Sequence, residues 1–224
     1  MRTRSLEPEW LDALPEEDLR ARRSRRDLAR VNGLMGNASI IAGMLHAALP
    51  AEPRIAEIGA GDGAFAVRVI RALGGTGDIV LVDRGASPSR EAVQRMAQCG
   101  WHAAGARADV FEWLDATGPL DAIFANLFLH HLDDAQLGRM LKAIALRAPV
   151  FVACEPRRSR VALLGAHLLG VVGCNDVTRH DAVVSVRAGF AAGEVGALWP
   201  NAPGIRIHER PRGLFSHAFR ATPA

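Results

Sequence analysis

Arg54-Ile55-Ala56-Glu57-Ile58-Gly59-Ala60-Gly61-Asp62-Gly63-Ala64-Phe65 is the stretch that decides the fold. Its first five residues read as a short buried strand, the middle as a glycine loop, and Ala64-Phe65 as the start of a helix. Glycine lacks a Cβ, so three of them spaced two apart let the backbone turn sharply and pass close to a ligand. A helix that begins directly after such a loop points its unpaired N–H groups at whatever sits there. The stretch is a nucleotide-type binding loop whose strand carries a single acid, Glu57.

Upstream, residues 1 to about 17 read as an irregular or weakly helical arm. Apolar residues recur at helical spacing from Asp18 to Leu49 (Leu28, Val31, Leu34, Met35, then Ile40, Ile41, Met44, Leu45), with a break expected at Gly33 or Gly36-Asn37. Downstream, the chain alternates. Strands are expected at 54–58, 79–82, 102–108, 120–125 and 150–154. Helices are expected at 64–73, 88–99 and 134–148, and a short helix or turn at 110–116, with Ser87 or Ser89 capping the helix at 88–99 and Asp133 or Asp134 the one at 134–148. Near-continuous apolar strands separated by amphipathic helices mean a parallel sheet covered on both faces. A longer segment, 157–184, then leads to a helix at 185–198. Strands at 205–210 and 214–221 follow, joined by the short Pro211-Arg212-Gly213 loop, and must form an antiparallel hairpin. The expected architecture is one α/β domain over 50–224, a doubly wound, seven-stranded, mostly parallel sheet ending in that hairpin. Residues 1–49 form an N-terminal helical cap on it.

The chain of 224 residues is 49% hydrophobic and 23% charged, ordinary values for a globular α/β domain. Three scattered cysteines, Cys99, Cys154 and Cys174, supply neither a disulfide framework nor a zinc site, which fits a reducing, cytoplasmic setting. No apolar leader follows Met1, and Val161–Gly173 is too short to span a bilayer. The net charge of +3 owes much to Arg20, Arg22, Arg23, Arg25, Arg26 and Arg30. With one lysine in the chain and no aromatic residues interleaved among these arginines, they read as a solvated helix face rather than a nucleic-acid arm. A small molecule, not nucleic acid, is the expected partner. The sequence assigns no oligomeric state, either monomer or homodimer.

In a doubly wound sheet, ligand groups lie at the carboxyl ends of the strands. Here those ends carry Glu57 and Gly59, Asp83, Asp109, Asn126 and Glu155. Asp83 stands where an acid accepts hydrogen bonds from two ribose hydroxyls. Asp109 is placed to accept from an exocyclic amine, with the Val110 N–H beside it for a ring nitrogen. Two acids on one adenosine suit a ligand without phosphates and would repel a pyrophosphate.

Glu57-Ile-Gly59-Ala-Gly61-Asp-Gly63, then Asp83, then Asp109-Val110, resembles the class I S-adenosylmethionine-dependent methyltransferases, a Rossmann-like fold whose seventh strand is antiparallel. The resemblance covers about Pro50 to Ala221. Leu120-Asp-Ala-Ile-Phe-Ala-Asn126-Leu-Phe-Leu-His130-His131-Leu-Asp133 looks like the motif after the fourth strand in quinone-biosynthesis-like and other small-molecule members. It lacks the two prolines of the nucleic-acid amino-methyltransferases. More loosely, Arg26 to Asn32, Thr178-Arg179-His180-Asp181 and Ser185 to Ala188 look like methyltransferases of natural-product pathways. The resemblance implies S-adenosylmethionine as cofactor. Gly59, Ala60 and Gly61 would hold its methionine part and Glu57 would sit near its amino group. Asp83, with Arg84 next to it, would take the ribose, and Asp109 and Val110 the adenine. Asn126 and Leu127 would line the floor beside the sulfonium.

A base is needed only if the acceptor must lose a proton, and histidine suits that task near neutral pH. His131 is the first candidate; His180 with Asp181 is the second, reaching in from the long segment. Plainer readings stand beside these. The glycine loop with Ala64 also fits a dinucleotide oxidoreductase, and the fold could serve as a cofactor-binding scaffold without activity, or act on RNA. His130 and His131 could simply finish a strand–helix turn. No metal is expected there, because adjacent side chains should point apart. Glu155 could pair with Arg157 or Arg158, and His180-Asp181 could be an exposed turn. Leu163, Leu164, Leu168, Leu169, Val171 and Val172 read either as an apolar pocket wall in a lid or as a core-facing helix.

Overall fold

The computed structural model describes residues 3–15, 17–201 and 203–224. Met1, Arg2 and Glu16, part of the expected N-terminal arm, lie outside the described residues. Seven strands form one sheet in the order β3-β2-β1-β4-β5-β7-β6. They are β1 (Arg54–Ile58), β2 (Gly77–Asp83), β3 (Trp101–Arg107), β4 (Ala122–Asn126), β5 (Val150–Pro156), β6 (Ile205–Arg212) and β7 (Ser216–Pro223). Only β7 runs against its neighbours: it is antiparallel to both β5 and β6. This is the expected doubly wound, mostly parallel sheet with its terminal hairpin.

Strand periodicity sorts the core into two layers. On one face Ile55, Ile79, Leu81, Phe124 and Val152 pack against Ile41, Leu45, Val69, Ile70 and Met96. These come from α3 (Asn37–His46), α4 (Ala64–Leu73) and α5 (Arg90–Gln98). On the other face Ile58, Ile123, Phe151 and Phe219 pack against Leu114, Leu137, Leu141 and Trp199. That layer is built by α6 (Val110–Ala116), α7 (Asp134–Arg147) and the short α10 (Glu194–Leu198). Buried apolar area of this extent on both faces is the main stabilising term.

Helix boundaries follow their caps. Ser89 accepts the Ala92 N–H and starts α5, and Asp133 and Gln136 form a reciprocal capping box at the start of α7. The expected break at Gly36 is present, in left-handed geometry (φ 69°), between α2 (Leu19–Met35) and α3. Ahead of α2, residues 3–13 run as an extended strap ending in one helical turn, α1 (Trp10–Ala13).

The helix expected at 185–198 is not formed as one piece. The chain instead builds α8 (Arg160–Leu168), α9 (Asp176–Ala188) and α10. The reason lies at Gly189-Phe190. Phe190 N–H donates to the Pro156 carbonyl and Arg158 N–H to the Phe190 carbonyl, so the chain leaves the helix to pair with the end of β5. A Cβ on Gly189 would lie 2.2 Å from the Pro156 oxygen. Gly189→Ala is therefore expected to lower stability by about 1–3 kcal/mol through overpacking, read as a drop in the urea midpoint with an unchanged m-value.

Candidate active site

The two-residue period that sorts the core also gathers the acids. Ile55 and Glu57, Ile79, Leu81 and Asp83, and Phe124 and Asn126 share the α3–α4 face, with Glu57 in register with Leu81 and Phe124. Their chain order scatters them; the pleat sets all three polar residues at one carboxyl edge. The loop from β1 runs over them. Gly59 and Ala60 both donate N–H bonds to the Val82 carbonyl, and Gly61 donates to Asp83 Oδ2 at 2.9 Å. Asp83 Oδ1 accepts from the Gly85 and Ala86 N–H groups, both at 2.8 Å. Asp83 thus fastens the loop to the turn after β2, and Arg84 beside it points to solvent. Gly59 has φ 71°, and a Cβ there would strike the Phe128 ring at 2.5 Å; a Cβ on Gly61 would meet only open space.

Glu57 is 1% exposed, and its Oε2 has no hydrogen-bond partner. Burial, then the charges of Asp62 and Asp83, push its carboxyl well above the usual range. A buried carboxyl with an unpartnered oxygen is costly unless a ligand completes it. Asp109, at the end of β3, accepts the Phe111 N–H and so caps α6, which begins at the buried Val110. Asn126 accepts from the Asn37 side chain at 2.8 Å, and Asn37 accepts from Ser216 at 2.6 Å, a polar thread from α3 to β7. Leu127 follows with φ 53°, a strained value for a side chain with a Cβ.

What holds that strain is Glu155, at the end of β5 on the opposite face. It does not pair with Arg157 or Arg158, contrary to the plain sequence reading; Arg158 bonds Glu194 instead. Glu155 accepts the N–H groups of Phe128 (3.0 Å), Leu129 (2.9 Å) and His130 (3.3 Å), and the His130 Nδ1 at 2.8 Å. The Leu127 N–H donates to the Cys154 carbonyl. One carboxylate therefore shapes the whole turn after β4.

His130 is buried, and its Nε2 lies 3.6 Å from Glu9 of the strap. Burial alone would lower its pKa, but the bonds to Glu155 and Glu9 outweigh that and raise it to about 9. Burial opposes ionisation of Glu9 too, yet His130 holds its pKa below the ordinary value. His131 differs. It reaches solvent but is hemmed by protein, and that desolvation, followed by the charge of His130, holds it below the usual histidine value. The expectation that adjacent side chains point apart fails here: in the 3₁₀ turn Leu129–His131 the two rings lie 4.2 Å apart, and with Glu9 they form a group of donors within 4.8 Å. Both nitrogens of His130 are already committed to carboxylates.

His180 and Asp181 lie in α9, not in an exposed turn. Asp181 is 1% exposed and accepts the Trp10 and Leu11 N–H groups at 2.8 and 3.0 Å, the open amides of α1. His180 bonds Asp181 and stacks on Trp10 at 3.9 Å. Asp12 carries the electrostatic influence of His131, Glu9, Asp181 and Arg84, so the strap lies between the two candidate bases. Sequence reading missed the strap's contribution: Arg4, Glu9 and Trp10 bind partners more than 120 residues away, and no local pattern signals such contacts.

Comparison with known proteins fits this geometry. Residues 55–147 match the family described as a methyltransferase domain. The match runs from β1 through α7, and the sheet around it has the Rossmann-like methyltransferase fold. No curated protein matches the chain in sequence. Among solved structures, the plantazolicin methyltransferase BpumL in complex with a monoazolic desmethylPZN analog and SAH is similar, with TM-score 0.68, 10% identity and coverage of 96% of this chain and 93% of that one. An O-methyltransferase family protein from Burkholderia thailandensis gives TM-score 0.59 and 16% identity over 93% of this chain and 61% of its own. RosA from Streptomyces davawensis, an N,N-8-amino-8-demethyl-D-riboflavin dimethyltransferase, gives 0.56 and 20% over 97% and 62%. At these identities the likeness establishes the methyltransferase fold.

The His130 pair makes a pH prediction. A pKa raised from 6.5 to about 9 stabilises the folded domain fully below 6.5, and that contribution is lost as pH rises through about 9. Urea unfolding of the native chain is expected to lose roughly 3 kcal/mol across that window. His130→Gln should be less stable at neutral pH and nearly flat over the same range; an equal slope in the variant would assign the titration elsewhere.

Proposed function

We propose that the enzyme transfers a methyl group from S-adenosylmethionine to an oxygen or carbon of a small, apolar metabolite. The unpaired, buried Oε2 of Glu57, beside the open backbone at Gly61, carries this reading. A carboxyl that burial and two neighbouring acids keep protonated can ionise when an ammonium group arrives, and the charges of Asp62 and Asp83 repel phosphates. Gly59, Ala60 and Gly61 would hold the methionine part near Glu57. Asp83, with Arg84 at its side, would face the ribose; Asp109 and the Val110 N–H the adenine; Asn126 and Leu127 the floor.

The cofactor supplies a methyl group already activated by a sulfonium, so the protein's task is to aim the acceptor and exclude water. His131 is the residue we place as general base. Its lowered pKa leaves it neutral at physiological pH and able to accept a proton, whereas His130 stays charged and serves to position the turn. His180, stacked on Trp10, flanks the acceptor from the other side, and Asp181 anchors the strap and with it Glu9. The turn carries Leu127 and Phe128 where nucleic-acid amino-methyltransferases carry prolines, which favours an apolar acceptor.

Titration with S-adenosylhomocysteine tests the cofactor site. Glu57→Gln is expected to weaken binding about tenfold or more, the scale of a lost charged hydrogen bond. The sign of the pH effect follows from linkage. The ligand's ammonium favours ionised Glu57, so binding releases a proton and tightens as pH rises above the ordinary carboxylate range. Calorimetry in buffers of different ionisation enthalpy reads that proton; tight binding with no proton release, or binding of NAD(H) in its place, would defeat the assignment. For the base, His131→Asn is expected to lower turnover on extract-derived acceptors about a hundredfold or more while leaving cofactor affinity within a factor of two or so.

A further inference from the structure

The segment from Arg157 to Asn175 has no acidic residue, and neither does the chain from Arg210 onward. These two stretches meet. Arg157 donates to the Gly213 carbonyl, and the Phe215 ring lies so close over α8 that a Cβ on Gly165 would meet it at 2.5 Å. Helix α8 turns Ala162 and Ala166 inward and leaves Val161, Leu164 and Leu168, spaced three and four apart, on its outer side. Leu164 is 60% exposed, Leu168 51% and, just beyond the helix, Val171 83%. The core-facing reading holds for Leu163, which packs against Ala162, Ala166 and Val186, but not for Leu164, Leu168, Val171 and Val172, which are exposed. These four form with Val161 and Phe215 one outward apolar patch, which a protein surface carries for a reason.

Its surroundings are cationic. Arg157 and Arg160 flank α8, Arg179 lies against Gly170, and Arg23 of α2 bonds the Gly173 carbonyl. From Arg212, next to the hairpin turn, a cavity of about 270 Å³ opens along β6 and β7, lined by His208, Arg210, Arg212, Arg220, Met44 and Ala218. Strand alternation sends Glu209 to the opposite face, where it binds His217 and the Val195 and Gly196 N–H groups. The Nε atoms of Arg212 and Arg220 are buried without partners, and among the described residues no carboxylate pairs with Arg210, Arg212 or Arg220. Three guanidiniums facing one cavity without a counter-charge call for an anion.

We propose that this face docks on an anionic phospholipid bilayer, with the α8 patch inserted at the level of the acyl chains and the hairpin arginines taking phosphate headgroups. Apolar side chains ringed by arginine are the composition of an interfacial surface helix. A second copy of the chain is a poorer fit, because a two-fold contact would set these arginines against themselves. Among the described residues no helix is long and apolar enough to cross a membrane, and a patch of a few exposed side chains on α8 suits contact with the bilayer surface. The inference does not depend on the acceptor assigned above.

Vesicle flotation of the full chain tests it. The protein should float with phosphatidylcholine vesicles containing phosphatidylglycerol and bind pure phosphatidylcholine about tenfold or more weakly, with binding to the mixed vesicles falling steeply as salt is raised. Leu168→Asp with Val171→Asp, both at the surface, should cut binding about tenfold or more with an unchanged thermal melt. Arg210→Glu with Arg212→Glu should abolish the preference for anionic vesicles. No flotation with either lipid, or equal flotation with both, overturns the proposal. So does a result in which the aspartate pair leaves flotation unchanged but turns a dimer into a monomer in sedimentation, which would give the patch to a second copy.

Discussion

The buried carboxylate of Glu155 is the interaction on which the site depends. It sits at the end of the fully buried central strand β5 and collects three backbone N–H groups and one imidazole from a single turn. Without it, Leu127 would have no reason to stay in left-handed geometry, and Phe128 would not lie over Gly59. The same carboxylate, with Glu9, makes His130 a cation, and that charge adds to the desolvation that lowers the His131 pKa. One acid thus fixes the shape of the turn and also divides two adjacent histidines into a charged positioning group and a neutral one.

The acid set on the other face follows a different logic. Glu57, Asp83 and Asn126 are brought together by the pleat, each at the end of a different strand. Asp83 is largely occupied by the backbone of two loops, so its first duty is architectural. Glu57 is the group left incomplete. A cluster in which one acid is satisfied by the chain and the next is left wanting is prepared for a partner of opposite charge at one point only.

The doubly wound sheet, the hairpin and the loop after β1 were legible because they rest on local signals: apolar runs, strand-ending acids, capping residues and glycines at turns. The strand ends named Glu57, Asp83, Asp109 and Asn126 for the same reason. Reading failed where long-range contacts override local pattern. The periodicity of 185–198 favoured one helix, but pairing of Phe190 with Pro156 broke it. Glu155 beside Arg157 and Arg158 read as an ion pair, yet its partners lie 25 to 27 residues earlier. The apolar run of α8 read as wall or core because hydropathy alone does not say which side of a helix meets water.

The strap has a consequence for how this chain comes into being. Its binding groups stand far along the chain: Asp181, Ser185 and the Ala188 carbonyl lie between 171 and 184 positions downstream. Until those groups are in place, the segment from Thr3 to Ala13 lacks most of its hydrogen-bond partners, and His130 lacks the covering Glu9. Contacts of such sequence separation carry a high loop-closure cost, so closing of the strap is a late step in folding.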